Sequence, residues 1–352
     1  MRKTLRNRRK RLYISDEHKI VVCGAMLLFC FIVLLLAVLF IRGCIEQERA
    51  ERELQLKLVF DDTYTVRVHN HITGKTEKVK LEEYIYHVIA GEMPVSYNLE
   101  ALKAQAVAAR TYTVQKCRSI MGDSAKCCKR GEWDVCTDSS CCQTWRSTEK
   151  MKLTWGRHYA EYALKVYNAV NETKGEILTY SGKPINAMYH SSSGGYTENI
   201  EDIYGGDPVP YLKSVKSPGE EAFSDYRSTV KLTLREAAKK LNDEFGTSLT
   251  AAQLQKSISI TKKSAGGAVI SVEIGTKKVT GRQLRHAFSL KSCKFSISFD
   301  DKYAIIQVQG FGHGVGMSQT GAGAMAKAGS DYREILHHYY TDVVLEKIGD
   351  MR

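Results

Sequence analysis

The sequence predicts an α+β fold, mixed helices and short strands around a groove, preceded by one N-terminal transmembrane helix. Two observations carry the fold class and a third carries the anchor. Apolar residues recur at helical spacing in some segments and alternate with period two in others. These segments follow one another without a regular strand–helix–strand repeat, which argues against a doubly wound parallel sheet. Residues 20–41 form an unbroken apolar run without a charge, and about 20 helical residues cross a hydrocarbon core.

The elements are justified in order. Seven Lys and Arg between Arg2 and Arg11 precede the apolar run. The positive-inside rule then puts a basic tail, 1–19, in the cytoplasm and everything beyond Arg42 outside. The run exceeds a signal-peptide core, and residues 42–45 lack an Ala-x-Ala-like site, so 20–41 is expected as an uncleaved signal anchor. Residues 42–59 read as a charged stalk and 60–345 as an ectodomain. Within it, 64–68 and 77–81 alternate around a turn-like 70–75, a hairpin signal. Helical spacing covers 82–90 and 99–117, and Pro94 breaks the pattern between them. A helix is expected at 158–170, strands at 176–180 and 186–190, and a helix at 233–245 with Thr233 and Glu236 as a capping box. Strands follow at 256–274 and 295–309, then a Gly-rich segment, 310–323, and helices at 321–328 and 331–340.

Charge bounds the partners. Of the net +12, residues 1–19 hold +6, with eight Lys/Arg against two Asp/Glu. Topology and lipid attraction account for that head. The remainder is mildly basic and suits an anionic surface. It has no dense basic patch interleaved with aromatics, so no nucleic acid is expected as a partner.

Glu92 is the strongest candidate for chemistry. It lies at a helix end inside an otherwise apolar, backbone-breaking stretch, 88–94, where a carboxylate is poorly solvated and its pKa rises. A carboxylic acid that keeps its proton near neutral pH can hand it to a leaving group. The segment 189–198 (YHSSSGGYTE) is dense in hydroxyls and unencumbered amides, able to approach a polar ligand closely. It has no nucleophile elbow, which disfavours a serine hydrolase. The segment 310–321 (GFGHGVGMSQTG) carries glycine at every second position from 310 to 316. It lacks the spacing of a dinucleotide loop and reads as backbone turning past a groove, with His313, Ser318 and Gln319 facing it.

Six of the ten cysteines fall between Cys117 and Cys142. The pairs Cys127-Cys128 and Cys141-Cys142, with Cys136, could supply four thiolates to a tetrahedral ion such as zinc. An extracytoplasmic location equally permits disulfides, and spacing leaves the two open.

Three segments taken together are more specific: Gly91-Glu92-Met93-Pro94 with 100–112 (EALKAQAVAARTY), then 190–198 (HSSSGGYTE), then 312–319 (GHGVGMSQ). They resemble the stage II sporulation protein D family, peptidoglycan lytic transglycosylases of endospore-forming bacteria, over about residues 60–345. The resemblance implies a mother-cell septal membrane location during engulfment. It implies peptidoglycan glycan strands stripped of peptide as substrate, and a peptidoglycan amidase and a membrane scaffold as partners. It places the catalytic acid on Glu92, cleaving between N-acetylmuramic acid and N-acetylglucosamine to a 1,6-anhydro product. Sugar-positioning roles fall on Arg110, Tyr112, Tyr189, His190, Ser191, Ser192, Glu198, His313, Ser318 and Gln319. It favours a structural Zn2+ on Cys128, Cys136, Cys141 and Cys142. Cys136 and Cys142 match family cysteines, Cys141 stands where relatives carry His, and Cys128, with Cys127 behind it, substitutes for a further His. Alternatives are a two-carboxylate hydrolase with Glu198, Glu201 or Asp202 as partner, a non-enzymatic wall-binding activator of an amidase, and a scaffold in which Glu92 is a structural cap.

Overall fold

The structure, a computed structural model, describes residues 16–351 except 127 and 129–131. Most of the expected basic tail and Cys127 lie outside the described residues. The chain divides into two compact units, one ending at Lys57 and one spanning Leu58–Arg352.

The first unit is a single 42-residue helix, α1 (Asp16–Lys57). Its apolar stretch is long enough to cross a membrane, and from Gly24 to Ile41 its side chains are exposed, which is consistent with a single-pass anchor. The expected stalk is the same helix continued, where Arg49–Glu53 and Arg52–Glu48 pair one turn apart.

In the second unit, β1 (Thr65–His69) and β2 (Thr76–Lys80) form the expected hairpin, and α2 (Leu81–Glu92) and α3 (Leu99–Lys116) flank the expected break. Then come α4 (Arg118–Met121), β3 (Val135–Cys136), α5 (Thr148–Trp155), α6 (Tyr159–Glu172), β4 (Glu176–Tyr180), β5 (Lys183–Pro184), β6 (Tyr189–His190) and α7 (Ile200–Tyr204). The chain continues through β7 (Arg227–Thr233), α8 (Leu234–Phe245), α9 (Leu254–Ser257), β8 (Ile258–Lys263), β9 (Val269–Ile274), β10 (Lys277–Thr280) and α10 (Gly281–Ala287). It ends with β11 (Lys294–Phe299), β12 (Tyr303–Gln309), β13 (Met317–Ser318), α11 (Gln319–Lys327), α12 (Tyr332–Tyr339) and β14 (Val344–Lys347).

The helix α3 is the centre. It packs against α2, α6, α11, α12 and β4. Ala101, Ala104, Ala106, Ala108 and Ala109 are fully buried, and such small side chains let neighbours approach from several sides. The polar residues of α3, Gln105, Arg110, Thr111, Thr113 and Gln115, are buried as well, as in a helix enclosed on every side. The carboxylate of Glu82, on α2, accepts from Arg110 Nη2 at 2.6 Å and from Gly175 N at 2.9 Å. Arg110 Nη1 also donates to the Glu176 carbonyl at 3.1 Å. This buried pair ties α2, α3 and β4 together.

A second core occupies residues 227–309, between the Ser/Gly-rich and Gly-rich segments. Its sheets run β11-β12-β7 and β10-β9-β8, packed with Leu241, Val272, Leu284, Phe295 and Ile306. The expected capping box at Thr233 and Glu236 forms. The expected strands 256–274 and 295–309 each prove to be hairpins. Ser264 Oγ accepts from Gly267 N and Ala268 N in one turn, and Asp300 Oδ1 accepts from Lys302 N and Tyr303 N in the other. Side-chain turns of this kind interrupt a strand without leaving an apolar gap to see. The expected strand 186–190 shrinks to β6. The last strand, β14, pairs with β4 and crosses residue 345, the expected end of the body.

Candidate active site

Glu92 is the last residue of α2, and Met93 caps the helix in extended conformation with its N–H on Ile89 O. The chain after it is pinned from outside: Lys165 Nζ donates to Val95 O at 2.8 Å and Tyr97 O at 2.6 Å, and Asn98 Nδ2 to Ala326 O at 3.0 Å. Gly91 is required by proximity, because a Cβ there would lie 2.9 Å from Thr144 O. That close approach lets Thr144 N donate to Glu92 Oε1 at 2.5 Å. Gln319 Nε2 lies 3.5 Å from Oε2 and 3.4 Å from Gln105 Oε1. Glu92 as a residue is only partly buried. Burial raises its pKa above the ordinary carboxylate value, and the Thr144 and Gln319 bonds offset this only in part.

The Ser/Gly-rich and Gly-rich segments meet at this carboxylate. β6 and β13 pair in parallel, Tyr189 with Met317 and His190 with Ser318, and bridges join Ser192 to Phe311 and Glu198 to Val315. The alternate glycines exist for this junction. Gly312 has φ +118° with its missing Cβ 2.7 Å from His190 Cβ, and at Gly316, φ +73°, a Cβ would overlap Met188 O. Tyr189 OH donates to Gln143 Oε1 at 2.8 Å, and Gln143 Nε2 to Thr113 Oγ1 at 2.9 Å. The charge of Glu92 bears on Tyr189.

The histidines are neutral. His190 Nδ1 must donate to Val315 O (3.2 Å), leaving Nε2 as a buried acceptor, and burial lowers its pKa to about 4. His313 Nδ1 accepts from Val315 N at 3.1 Å, and burial first, then His190, lowers it to about 3.

Five expected sugar contacts are placed elsewhere, one of them Glu198, buried on Ser264 Oγ and Ala268 N. Arg110 has no accessible surface and is held by Glu82. Tyr112 OH donates to Cys141 O at 3.4 Å, so its ring braces the cysteine loop. Ser192 and Ser318 are buried on a residue the sequence did not single out, Glu220. Its carboxylate accepts from Ser192 Oγ (2.8 Å), Ser193 N (3.2 Å), Ser193 Oγ (2.8 Å), Gly194 N (2.7 Å), Ser217 Oγ (2.6 Å) and Ser318 Oγ. Burial alone would raise its pKa, but the hydroxyls of Ser217, Ser318, Ser192 and Ser193 hold it below the ordinary value. A carboxylate in a Ser-Pro-Gly-Glu turn carries no local signal of this role. Thr144, Gln105 and Gln143 were also missed, for the same reason. Ser191 stays near the junction, its carbonyl accepting from Thr320 N and Oγ1.

Among the described residues no second carboxylate shares a hydrogen bond with Glu92. Glu198 accepts from Ser264 Oγ and Ala268 N (3.1 Å), Glu201 pairs with Lys213 (3.7 Å), and Asp202 accepts from Asn199 Nδ2 (3.0 Å).

Cys128, Cys136, Cys141 and Cys142 bring their sulfurs within 4.8 Å of one another. No disulfide joins the described cysteines. Sulfurs on a tetrahedral ion with bonds of about 2.3 Å stand about 3.8 Å apart; here Cys128–Cys136 is 3.9 Å and Cys128–Cys141 3.1 Å. Burial, then the neighbouring thiols, pushes Cys141 up to about 12, and a bound cation is what reverses such crowding. The cluster can therefore hold a metal. Two residues beyond Cys142 is Thr144, the donor to Glu92.

Comparison with known proteins places the chain among relatives. The Stage II sporulation protein family model matches residues 69–180. The chain is similar to Stage II sporulation protein D of Bacillus amyloliquefaciens, 40% identical over 277 residues, covering 79% of this chain and 76% of that protein. Stage II sporulation protein D of Bacillus subtilis (strain 168) is 37% identical over 276 residues, covering 78% and 77%. The amidase enhancer of Bacillus subtilis (strain 168) is 31% identical over 306 residues, covering 73% of this chain and 39% of that protein. Identity of this order along three quarters of both partners places the chain in a family: it belongs to the Stage II sporulation protein D family.

Proposed function

We propose that the chain is a membrane-anchored peptidoglycan lytic transglycosylase of sporulation, with Glu92 as its one acid and base. The observation that carries this reading is the Glu92 carboxylate, largely buried, raised in pKa and held by one short backbone N–H bond and a long one from Gln319. Protonated Glu92 gives its proton to the glycosidic oxygen as the bond to C1 of the muramic residue breaks. The C6 hydroxyl of that residue attacks C1, and its proton returns to Glu92. No water enters and the carboxyl is regenerated. A hydrolase of the usual kind pairs two carboxylates about 5–9.5 Å apart, whereas Glu198, Glu201 and Asp202 are each engaged by other partners. Tyr189, His190, Ser191, His313 and Gln319 line the junction at which the sugar would bind. Ser192, Ser318 and Arg110 act from behind it.

Zinc fits the four-thiolate cluster, where it would fix the turn carrying Gln143 and Thr144. Its role is structural, since all four positions are filled by sulfur. The α1 anchor would place the catalytic unit outside the cytoplasm, in the mother-cell septal membrane, beside a peptidoglycan amidase and a membrane scaffold of engulfment.

The test is product mass from purified glycan strands. An anhydro end is one water lighter than a hydrolytic end, and Glu92→Gln should abolish cleavage while retaining strand binding. Hydrolytic ends, or undiminished cleavage by the variant, would sink the reading. Elemental analysis should find zinc; its absence together with disulfides by mass would remove that assignment. A second reading, a non-enzymatic activator of an amidase, is favoured by the likeness to a protein named amidase enhancer. It requires stimulation of an amidase that is indifferent to Glu92→Gln.

A further inference from the structure

The Gln319 side chain stands between two acceptors. Its Nε2 lies 3.5 Å from Glu92 Oε2 and 3.4 Å from Gln105 Oε1. Gln319 opens α11, and Gln105 lies within α3, the helix against which α11 packs. Gln105 has no accessible surface, yet its Nε2 has no hydrogen-bond partner. A buried donor left unpaired is costly and calls for a reason. An apolar side chain of the same size would fill this place without that cost.

The charged and the protonated forms of Glu92 need opposite partners. Thr144 N donates to Oε1 in either form, so the proton belongs on Oε2, the oxygen that faces Gln319. As an anion, Oε2 accepts from Gln319 Nε2, which is the arrangement in the structure. As an acid, Oε2 carries an O–H and needs an acceptor in the same place. Half a turn about the last bond of a primary amide exchanges its oxygen and nitrogen at nearly constant shape. Gln319 Oε1 would then accept from the Glu92 O–H. The same turn by Gln105 would bring its orphaned Nε2 onto Gln319 Oε1. Both observed bonds are longer than the roughly 2.7–2.9 Å of a firm charge-assisted bond, so neither amide is locked.

We propose that Gln105 and Gln319 form a two-amide switch that turns with the proton of Glu92, Gln105 being a positioning residue that acts through Gln319. The proposal rests on the acid-then-base reading of Glu92 for its place in the reaction. With glycan bound, the O–H on Oε2 leaves Gln319 Oε1 and points at the glycosidic oxygen, which takes the proton as its bond to C1 breaks. Gln319 turns Nε2 onto the new carboxylate, and Gln105 turns Oε1 towards Gln319. The proton of the C6 hydroxyl then returns to Oε2, and the pair turns back. Charge assistance makes the bond to the anion the stronger of the two, so Gln319 still favours the charged form on balance.

The experiment uses the full-length chain in detergent, without substrate, with isotope labels on the glutamate carboxyl carbon and the glutamine amide nitrogen read by NMR. The side-chain signals of Gln105 and Gln319 should both shift with pH at the midpoint of the Glu92 carboxyl, and both should be flat in Glu92→Gln. Around Glu92, burial keeps Tyr189 neutral and Cys142 protonated, Arg110 is paired with Glu82, and His190 and His313 titrate lower, at about 4 and about 3. The Gln105 shift should vanish in Gln319→Met or Gln319→Leu, whichever keeps the parent's melting temperature. A Gln105 signal that is flat in the parent overturns the proposal. So does one that still titrates without Gln319, where only the field of Glu92 is left to move it. On glycan strands, Gln105→Met should lower kcat about tenfold at unchanged KM and with no loss of melting temperature. A lower melting temperature with kcat intact would make Gln105 a core residue and overturn the switch. Failure of the parent chain to cleave would refute the glycan reading alone, because the titration is measured without substrate.

Discussion

Glu92 and Glu220 are both buried glutamates at the junction of the same two loops, yet their acidities move in opposite directions. Glu220 takes hydrogen bonds from four serine hydroxyls and two backbone amides. Glu92 takes one short bond from Thr144 N and a long one from Gln319. Desolvation acts on both; the donors decide which form survives it. Glu220 is thereby a fixed anion that clamps Ser192, Ser193 and Ser318, and Glu92 is left able to carry a proton. Burial alone does not make an acid. A third case, Glu82, is neutralised by a buried guanidinium and serves the core.

The largest expected effect breaks that third case. Arg110→Ala leaves Glu82 buried without its cation and should cost about 3–5 kcal/mol of stability, read by chemical denaturation. A cost below about 1 kcal/mol would mean that the pair is not structural.

Next is Glu220→Gln, which replaces an anion with a group that cannot accept all its donors. A loss of about 2–3 kcal/mol is expected. The pH dependence gives the sign. A folded pKa below the ordinary 4.5 stabilises fully above that value, and the contribution disappears as pH falls below 4.5 through the lowered one. The variant should lose this acid-side slope. Retention of the slope would assign it to another carboxylate.

Glu92→Gln should move stability the other way. A raised folded pKa costs stability as pH climbs above 4.5 through the raised value. At neutral pH the variant should therefore equal or exceed the parent, by up to about 1 kcal/mol, while losing cleavage. A variant that is less stable at neutral pH would make Glu92 a cap.

The smallest effect is that of Gln319→Ala. Removing the long bond from Gln319 takes away a stabiliser of the charged form, so the pKa of Glu92 should rise further. The alkaline limb of the pH–rate profile should shift upward by less than about one pH unit. A downward shift would show that Gln319 holds the protonated form instead.

The legible parts of this protein share one property: their causes lie within a few residues. The hairpin at 65–80 shows as alternation, α2 and α3 as helical spacing broken at Pro94, the box at Thr233 and Glu236 as a spacing of three. The setting of Glu92 was readable because Val88, Ile89 and Met93 are its chain neighbours. The hairpin turns at 264–268 and 300–302 were not, because Ser264 and Asp300 each reshape a strand with one side chain that accepts two backbone N–H bonds. Motif membership could not separate Gln319, which faces Glu92, from Ser318 next to it, which faces Glu220.

The sequence by itself determined the long apolar N-terminal helix, the mixed α+β class, the break that follows Glu92 and the four cysteines able to meet. Only the tertiary structure decided which polar residues touch that carboxylate. Gln319 reaches Glu92 across 227 residues, Thr144 across 52, and Ser318 reaches Glu220 across 98. Periodicity is a property of neighbours along the chain, whereas donor count, and with it the acidity of each buried glutamate, is set by groups that only packing brings together.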